Sequence, residues 1–137
     1  MQNLFVNDDE EFIVYITVAT DKDGTIFCDI NEESLRDSMK GLSNIDECEF
    51  QTYKTVFKKP SFGDTVKLYD TVFSTSDDSI SFNPVQARYR KISALIKSWD
   101  LMVRDEKPTN EQIMKLHPVI ANAIGIQLDV ETGGLLV

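Results

Sequence analysis

Residues 12–30, FIVYITVATDKDGTIFCDI, decide the class of fold. The first nine are dense in β-branched and aromatic side chains, which suit a pleated, half-buried strand. Asp21-Lys22-Asp23-Gly24 then interrupts the apolar run, and an Asp-Gly step between two such runs is a strong hairpin signal. Residues 25–30 follow as a second strand with Ile26, Cys28 and Ile30 on one face. The chain is therefore expected to open with antiparallel β-structure.

Beyond the hairpin, Asn31 is a good helix N-cap, Glu32 and Glu33 suit the positive end of the helix dipole, and Ile30 can staple onto Leu35. Leu35, Met39 and Leu42 share one face, and Gly41 offers a stop. Residues 47–58 form another strand whose apolar face changes phase. Cys48 and Phe50 point one way and Tyr53 and Phe57 the other, so a bulge or twist is expected near Thr52. Residues 62–73 fit a helical face through Val66, Tyr69 and Phe73, and equally a strand through Val66, Leu68 and Val72. Both stay open. The polar residues 74–79 are expected to form a mobile loop.

From Asn83 onward helical signals dominate. Asn83 caps, and Pro84 takes the first helical position, where its missing N–H costs nothing. Val85, Tyr89, Ile92, Ile96 and Trp99 then recur at helical spacing, which predicts a helix reaching residues 100–102 with Trp99 as a buried anchor. Arg88, on the margin of that stripe, is expected to pair with a carboxylate of the N-terminal half. Thr109-Asn110-Glu111-Gln112 matches a capping box, and Ile113, Leu116, Ile120 and Ile124 continue an apolar face. Pro118 should split this stretch into two short helices turning at His117. The expected architecture is α+β: an N-terminal antiparallel β-sheet with one helix, then a helical C-terminal half. It forms one domain over residues 1–137, mainly β in 1–82, helical in 83–128, with a loose tail in 129–137.

The chain has 137 residues, enough to bury a core without staples. Its net charge of −9 is unevenly spread, with a balance of −10 over residues 1–50, +4 over 51–99 and −3 over 100–137. That distribution argues against nucleic acid as a partner, because phosphate binding wants a clear basic excess. It leaves one basic surface that could meet an acidic protein. No apolar run approaches the roughly 20 residues that span a bilayer, and the start carries no basic, apolar leader. The protein is expected to stay in a cytoplasm, its own or a host's, with no membrane partner. Cys28 and Cys48 form no Cys-x-x-Cys pair and are expected to be free thiols.

Chemistry-bearing patterns are sparse. Asp21-x-Asp23-Gly24 resembles part of a calcium loop, but the positions of the first and twelfth ligands hold Ala19 and Ile30. His117 is the only histidine and precedes a proline, so a cap or surface role is expected there and not a general base or metal ligand. The sequence lacks the Gly-x-Ser-x-Gly elbow and the glycine-rich phosphate loops. Asp8-Asp9, Glu10-Glu11 and Asp77-Asp78 are adjacent carboxylates that read as solvated surface. No enzyme activity, metal or cofactor is expected.

The helix after Asn83 offers the candidate binding face. Opposite its core stripe stand Ala87, Ala94 and Ser98, bordered by Arg90, Lys91 and Lys97. Small residues let another helix approach closely, and the basic rim favours an acidic partner or a second copy of the chain.

Residues 57–128 carry a further pattern: Phe57-Lys58-Lys59-Pro60-Ser61, then Ser98-Trp99-Asp100-Leu101, then Pro108-Thr109-Asn110-Glu111-Gln112-Ile113 with Leu116, Pro118-Val119-Ile120 and Ile124. It resembles the tail assembly chaperones and related small tail proteins of tailed bacteriophages, in which a Trp-Asp step ends a helix and a Pro-Thr start leads into two short helices. The strands of residues 12–30 lie outside the resemblance. It implies a non-enzymatic tail-morphogenesis protein that binds another phage protein, such as the tape measure or a tail component, through its C-terminal helices. A structural part of the virion's tail, baseplate or neck is the alternative, and a small phage enzyme or host-enzyme inhibitor is the alternative of another class.

Overall fold

The computed structural model describes residues 3–42, 44–76, 79–101 and 106–133, and of residues 69, 71–76 and 79–82 the backbone only. Its frame is a four-stranded antiparallel sheet in the order β2-β1-β3-β6. β1 (Glu11–Thr20) and β3 (Glu49–Lys58) form the centre, with β2 (Ile26–Asp29) and β6 (Ile96–Trp99) at the edges. The β1–β2 turn is built by Asp21, whose Oδ1 accepts the N–H of Asp23 and of Thr25, both at 2.9 Å. Those backbone bonds hold its carboxyl below the usual carboxylate range, and Gly24 takes the positive φ of 84° that the turn demands.

One face of the sheet carries the main core, and the other is covered at one end only, leaving Ile13 and Tyr15 of β1 exposed. Val14, Ile16 and Val18 of β1 face the main core with Phe57, Ile92, Leu95, Ile96, Trp99, Ile113, Ile124 and Leu128. Ala19, on the other face, packs with Leu35 and Met39 beneath α1 (Glu32–Ser38), where Phe27, Cys48 and Phe50 join it. Asn31 caps α1 by accepting the Ser34 N–H at 2.7 Å. The helix stops one residue short of Met39, and Leu42 stands exposed beyond it.

Two-sided burial explains the phase change in β3, and the expected bulge near Thr52 is not there. The β1–β3 register runs without a shift from Glu11↔Lys58 to Thr20↔Glu49. Phe50 lies under α1, while Tyr53 and Phe57 belong to the opposite core. Cys28 and Cys48 likewise pack in the clusters on opposite faces, and both are free. Burial, helped by Asp29, pushes the Cys28 thiol up to about 11.

After β3 the chain forms α2 (Phe62–Val72), the hairpin β4 (Phe73–Ser76) and β5 (Ser79–Phe82), and α3 (Pro84–Leu95). The open choice over residues 62–73 resolves to helix, started by Ser61 and Asp64. The Ser61 Oγ accepts the Asp64 N–H at 3.1 Å and Asp64 Oδ2 accepts the Ser61 N–H at 3.0 Å, a reciprocal cap. Where residues 74–79 were expected to loop, paired strands flank positions 77 and 78, which lie outside the described residues.

The predicted helix over residues 84–102 ends early, at Leu95. Residues 96–99 return to the sheet as β6, with Phe57 paired to Ile96, Val56 to Ser98 and Thr55 to Trp99. The register shifts between Val56 and Phe57, so Lys97 is the extra residue of a β-bulge. An undisturbed strand would turn Ile96 and Trp99, three apart, to opposite faces; the bulge turns both into the core. A Trp-Asp step therefore closes a strand here, not a helix.

α4 (Asn110–Met114) and α5 (Pro118–Thr132) complete the fold. Thr109 and Gln112 form the expected capping box, and His117 Nδ1 accepts the Val119 N–H at 3.2 Å to cap α5. α5 is 15 residues long and runs through Asp129 to Thr132, correcting the expected loose tail; residues 134–137 lie outside the described set. The protein is thus α+β, with its helical C-terminal half interrupted by one strand.

Candidate functional site

The six residues proposed as a binding face do not share one. Ala87 is buried with Leu68 of α2, so the helix that approaches closely there is the chain's own. Lys91 is only 4% exposed, and its Nζ donates to Asp129 Oδ1 of α5 at 2.8 Å. Lys97 and Ser98 belong to β6: Lys97 meets Glu11 at 3.4 Å, and Ser98 lies half-buried opposite Val56. Arg90, Lys91 and Ala94 do stay together, in a cleft of about 310 Å³ between α2 and α3 that Lys58, Pro60, Lys67, Leu68 and Leu95 also line. Arg88 bonds Asn122 Oδ1 of α5 and no N-terminal carboxylate. Its aliphatic stem crosses Gly125 so closely that a Cβ there would stand 3.0 Å from Cδ.

A larger groove of about 580 Å³ opens where α3, α4 and the start of α5 converge. α3 contributes Val85, Arg88, Tyr89 and Ile92 to it, α4 Ile113 and Met114, and the following turn and helix Leu116, Pro118, Val119, Ala121 and Asn122. Each helix is positioned by a cap: Asn83 Oδ1 accepts the Val85 and Gln86 N–H groups at 3.1 Å, and Thr109 and His117 cap the other two. Ile92 and Ile113 form the floor as members of the main core. Val85, 76% exposed, and Met114, 66% exposed, stand at the lip with Val119. The polar groups of the lining are the Tyr89 hydroxyl and the side chains of Arg88 and Asn122, the latter two already bonded to one another. The rest is apolar surface.

The exposure of Val85 corrects the expectation that it belongs to the core stripe of its helix. Its periodicity was a sound signal for an apolar face, but the groove and not the core uses that face at this point. Met114 carried no comparable signal: its role follows from α4 ending beside α3.

Among the described residues, no three His, Cys, Asp or Glu side chains gather closely enough to hold a metal ion, and no helix is long and apolar enough to cross a membrane. In comparisons with known proteins, no family model, curated protein or solved structure matches the chain.

Proposed function

We propose that the chain is a non-catalytic protein-binding domain whose partner lays an apolar helical segment into the α3–α4–α5 groove. The observation that carries this is the groove's lining: a contiguous apolar trough with large side chains standing in solvent at its lip. Grooves of this kind receive the apolar face of an amphipathic helix through anchors at helical spacing. Met114 adds an unbranched, polarisable side chain that repacks around different anchors. Removing Val85 and Met114 from water would stabilise the complex by about 1.5–3 kcal/mol for each fully covered side chain.

The resemblance to tail assembly chaperones, which loses its Trp-Asp helix end to β6 but keeps the Pro-Thr start into α4 and α5, supplies the partner class in this reading: a long helical tape measure protein, or another tail component, shielded until assembly. The test uses labelled amphipathic helical peptides tiling a tape measure protein of a tailed bacteriophage. Saturable binding to the wild type is expected, weakened at least tenfold by Val85→Glu or Met114→Glu with unchanged melting. Binding that ignores both substitutions overturns the groove as the site, and failure of every peptide to bind overturns the tape measure as the partner.

A further inference from the structure

The second cleft, between α2 and α3, has a different chemistry and points to a different occupant. Its floor is apolar, with Leu68, Ala94 and Leu95, and its edge is cationic. Two of the four cations are in ion pairs: Lys58 with Asp64 at 3.1 Å and Lys91 with Asp129 at 2.8 Å. Lys67 and Arg90 make no ion pair among the described residues, and both are exposed; the Arg90 guanidinium lies 5.5 Å from the centre of the Tyr89 ring, which leaves its charge open to a carboxylate. About 310 Å³ is at the lower end of ligand pockets, room for a short segment presenting one or two apolar side chains. A fitting ligand is apolar at its tip and anionic behind it.

The chain itself carries such a segment. Leu4 and Phe5 are 80% and 82% exposed, and Asp8, Asp9, Glu10 and Glu11 follow within six residues. Large apolar side chains this bare are costly to leave in water, and here two are adjacent. The segment does not fill the cleft of its own chain. Glu10 is anchored at the β1–β3 end, its carbonyl accepting the Lys59 N–H at 3.0 Å, and the Glu10 N–H closes a turn onto the Asn7 carbonyl at 3.1 Å. Beyond that turn Leu4 and Phe5 stand in solvent.

We infer that the leading segment of one copy docks in the α2–α3 cleft of a second copy, with Leu4 and Phe5 on the apolar floor and the carboxylates of residues 8 and 9 on Lys67 and Arg90. Charge distribution over the whole chain favours the same contact. The segment belongs to the part with a balance of −10 and the cleft to the part with a balance of +4, so copies attract front to middle although each is net negative. Exchanged reciprocally the contact closes a two-fold dimer; exchanged in one direction it builds a chain of copies.

Sedimentation of the full chain over a range of concentrations tests this. Wild-type protein should self-associate with rising concentration. Leu4→Ser/Phe5→Ser, which spoils the segment, and Lys67→Glu/Arg90→Glu, which spoils the cleft, should each weaken association at least tenfold with unchanged far-ultraviolet spectra. Mixing the two variants should restore association in a one-to-one species, because one supplies an intact cleft and the other an intact segment. A wild type that stays monomeric throughout, variants that associate like wild type, or a mixture that fails to pair would each overturn the inference. The peptide-binding groove lies elsewhere, so these outcomes are independent of the test of that groove.

Discussion

Trp99 shows how much a single side chain can tie together. It is 2% exposed in a short edge strand, held by its N–H to the Glu106 carbonyl at 3.1 Å and packed in the core that α3, α4 and α5 share. Its indole N–H meets no acceptor among the described residues, and an unsatisfied buried donor costs about 1–3 kcal/mol. Trp99→Ala should therefore lower stability by about 3–5 kcal/mol through the cavity it leaves. Trp99→Phe should cost far less, because it keeps most of the aromatic volume and removes the orphan donor. Urea midpoints of the two variants check this; equal losses would show that the indole N–H is satisfied in solution. The Lys91–Asp129 pair predicts another asymmetry. Removing the carboxylate by Asp129→Ala strands a buried ammonium and should cost about 3–5 kcal/mol, whereas Lys91→Met fills the same space without charge and should cost much less. Melting curves of both variants at neutral pH decide it.

Among the elements, α2 buries Ala87 of α3 beneath its Leu68, and its start is sensitive to acid. Asp64 is held below the usual carboxylate range chiefly by the Ser61 N–H, with Lys58 adding to it. A carboxylate whose folded value is depressed contributes stability that is complete above its ordinary value of 3.8 and is lost as pH falls through the lower folded value. Asp64→Asn keeps an acceptor for the Ser61 N–H but removes the charge, and should thus reduce stability at pH 7 by about 0.3–1 kcal/mol, read from the urea midpoint. The difference from wild type should shrink toward zero in strong acid. A pH-independent difference would mean that the cap does not depend on the charge. β6 carries the complementary lesson. A bulge makes i, i+3 spacing serve a strand, and so the apolar stripe of α3 continues unbroken into an element of another kind.

At the scale of the molecule, segments from both ends of the sequence close one core: Val14 and Ile16 meet Ile124 and Leu128 across more than a hundred residues. A core shared in this way should melt as a unit. Urea unfolding followed by Trp99 emission and by far-ultraviolet circular dichroism is expected to give coincident transitions; separated midpoints would show that the sheet and the terminal helices unfold independently. In thiol chemistry the whole fold also acts on one group. Cys28, with its thiol pushed up to about 11, should alkylate slowly at pH 8 and faster as pH rises toward that value. Because the raised thiol stays protonated in the fold while the unfolded thiol ionises near 9.0, its contribution to stability is full below that pH and is lost as pH climbs to about 11.

By itself the sequence determined what local chemistry determines. The β-branched run of residues 12–20, the Asp-Gly turn, and the caps at Asn31, Asn83, Thr109 and His117 each act within a few residues, and each is where it was expected. Tertiary structure decided whatever depends on which surfaces meet. Whether residues 62–72 coil depended on a place to bury Leu68, which Ala87 provides. Where α3 ends depended on a free edge of β3, and the phase change in β3 depended on α1 covering Phe50 on the second face. The candidate site belongs to this second kind. Periodicity marks Val85 as apolar but cannot say whether core, groove or partner covers it, because hydrophobic burial is indifferent to what removes a side chain from water.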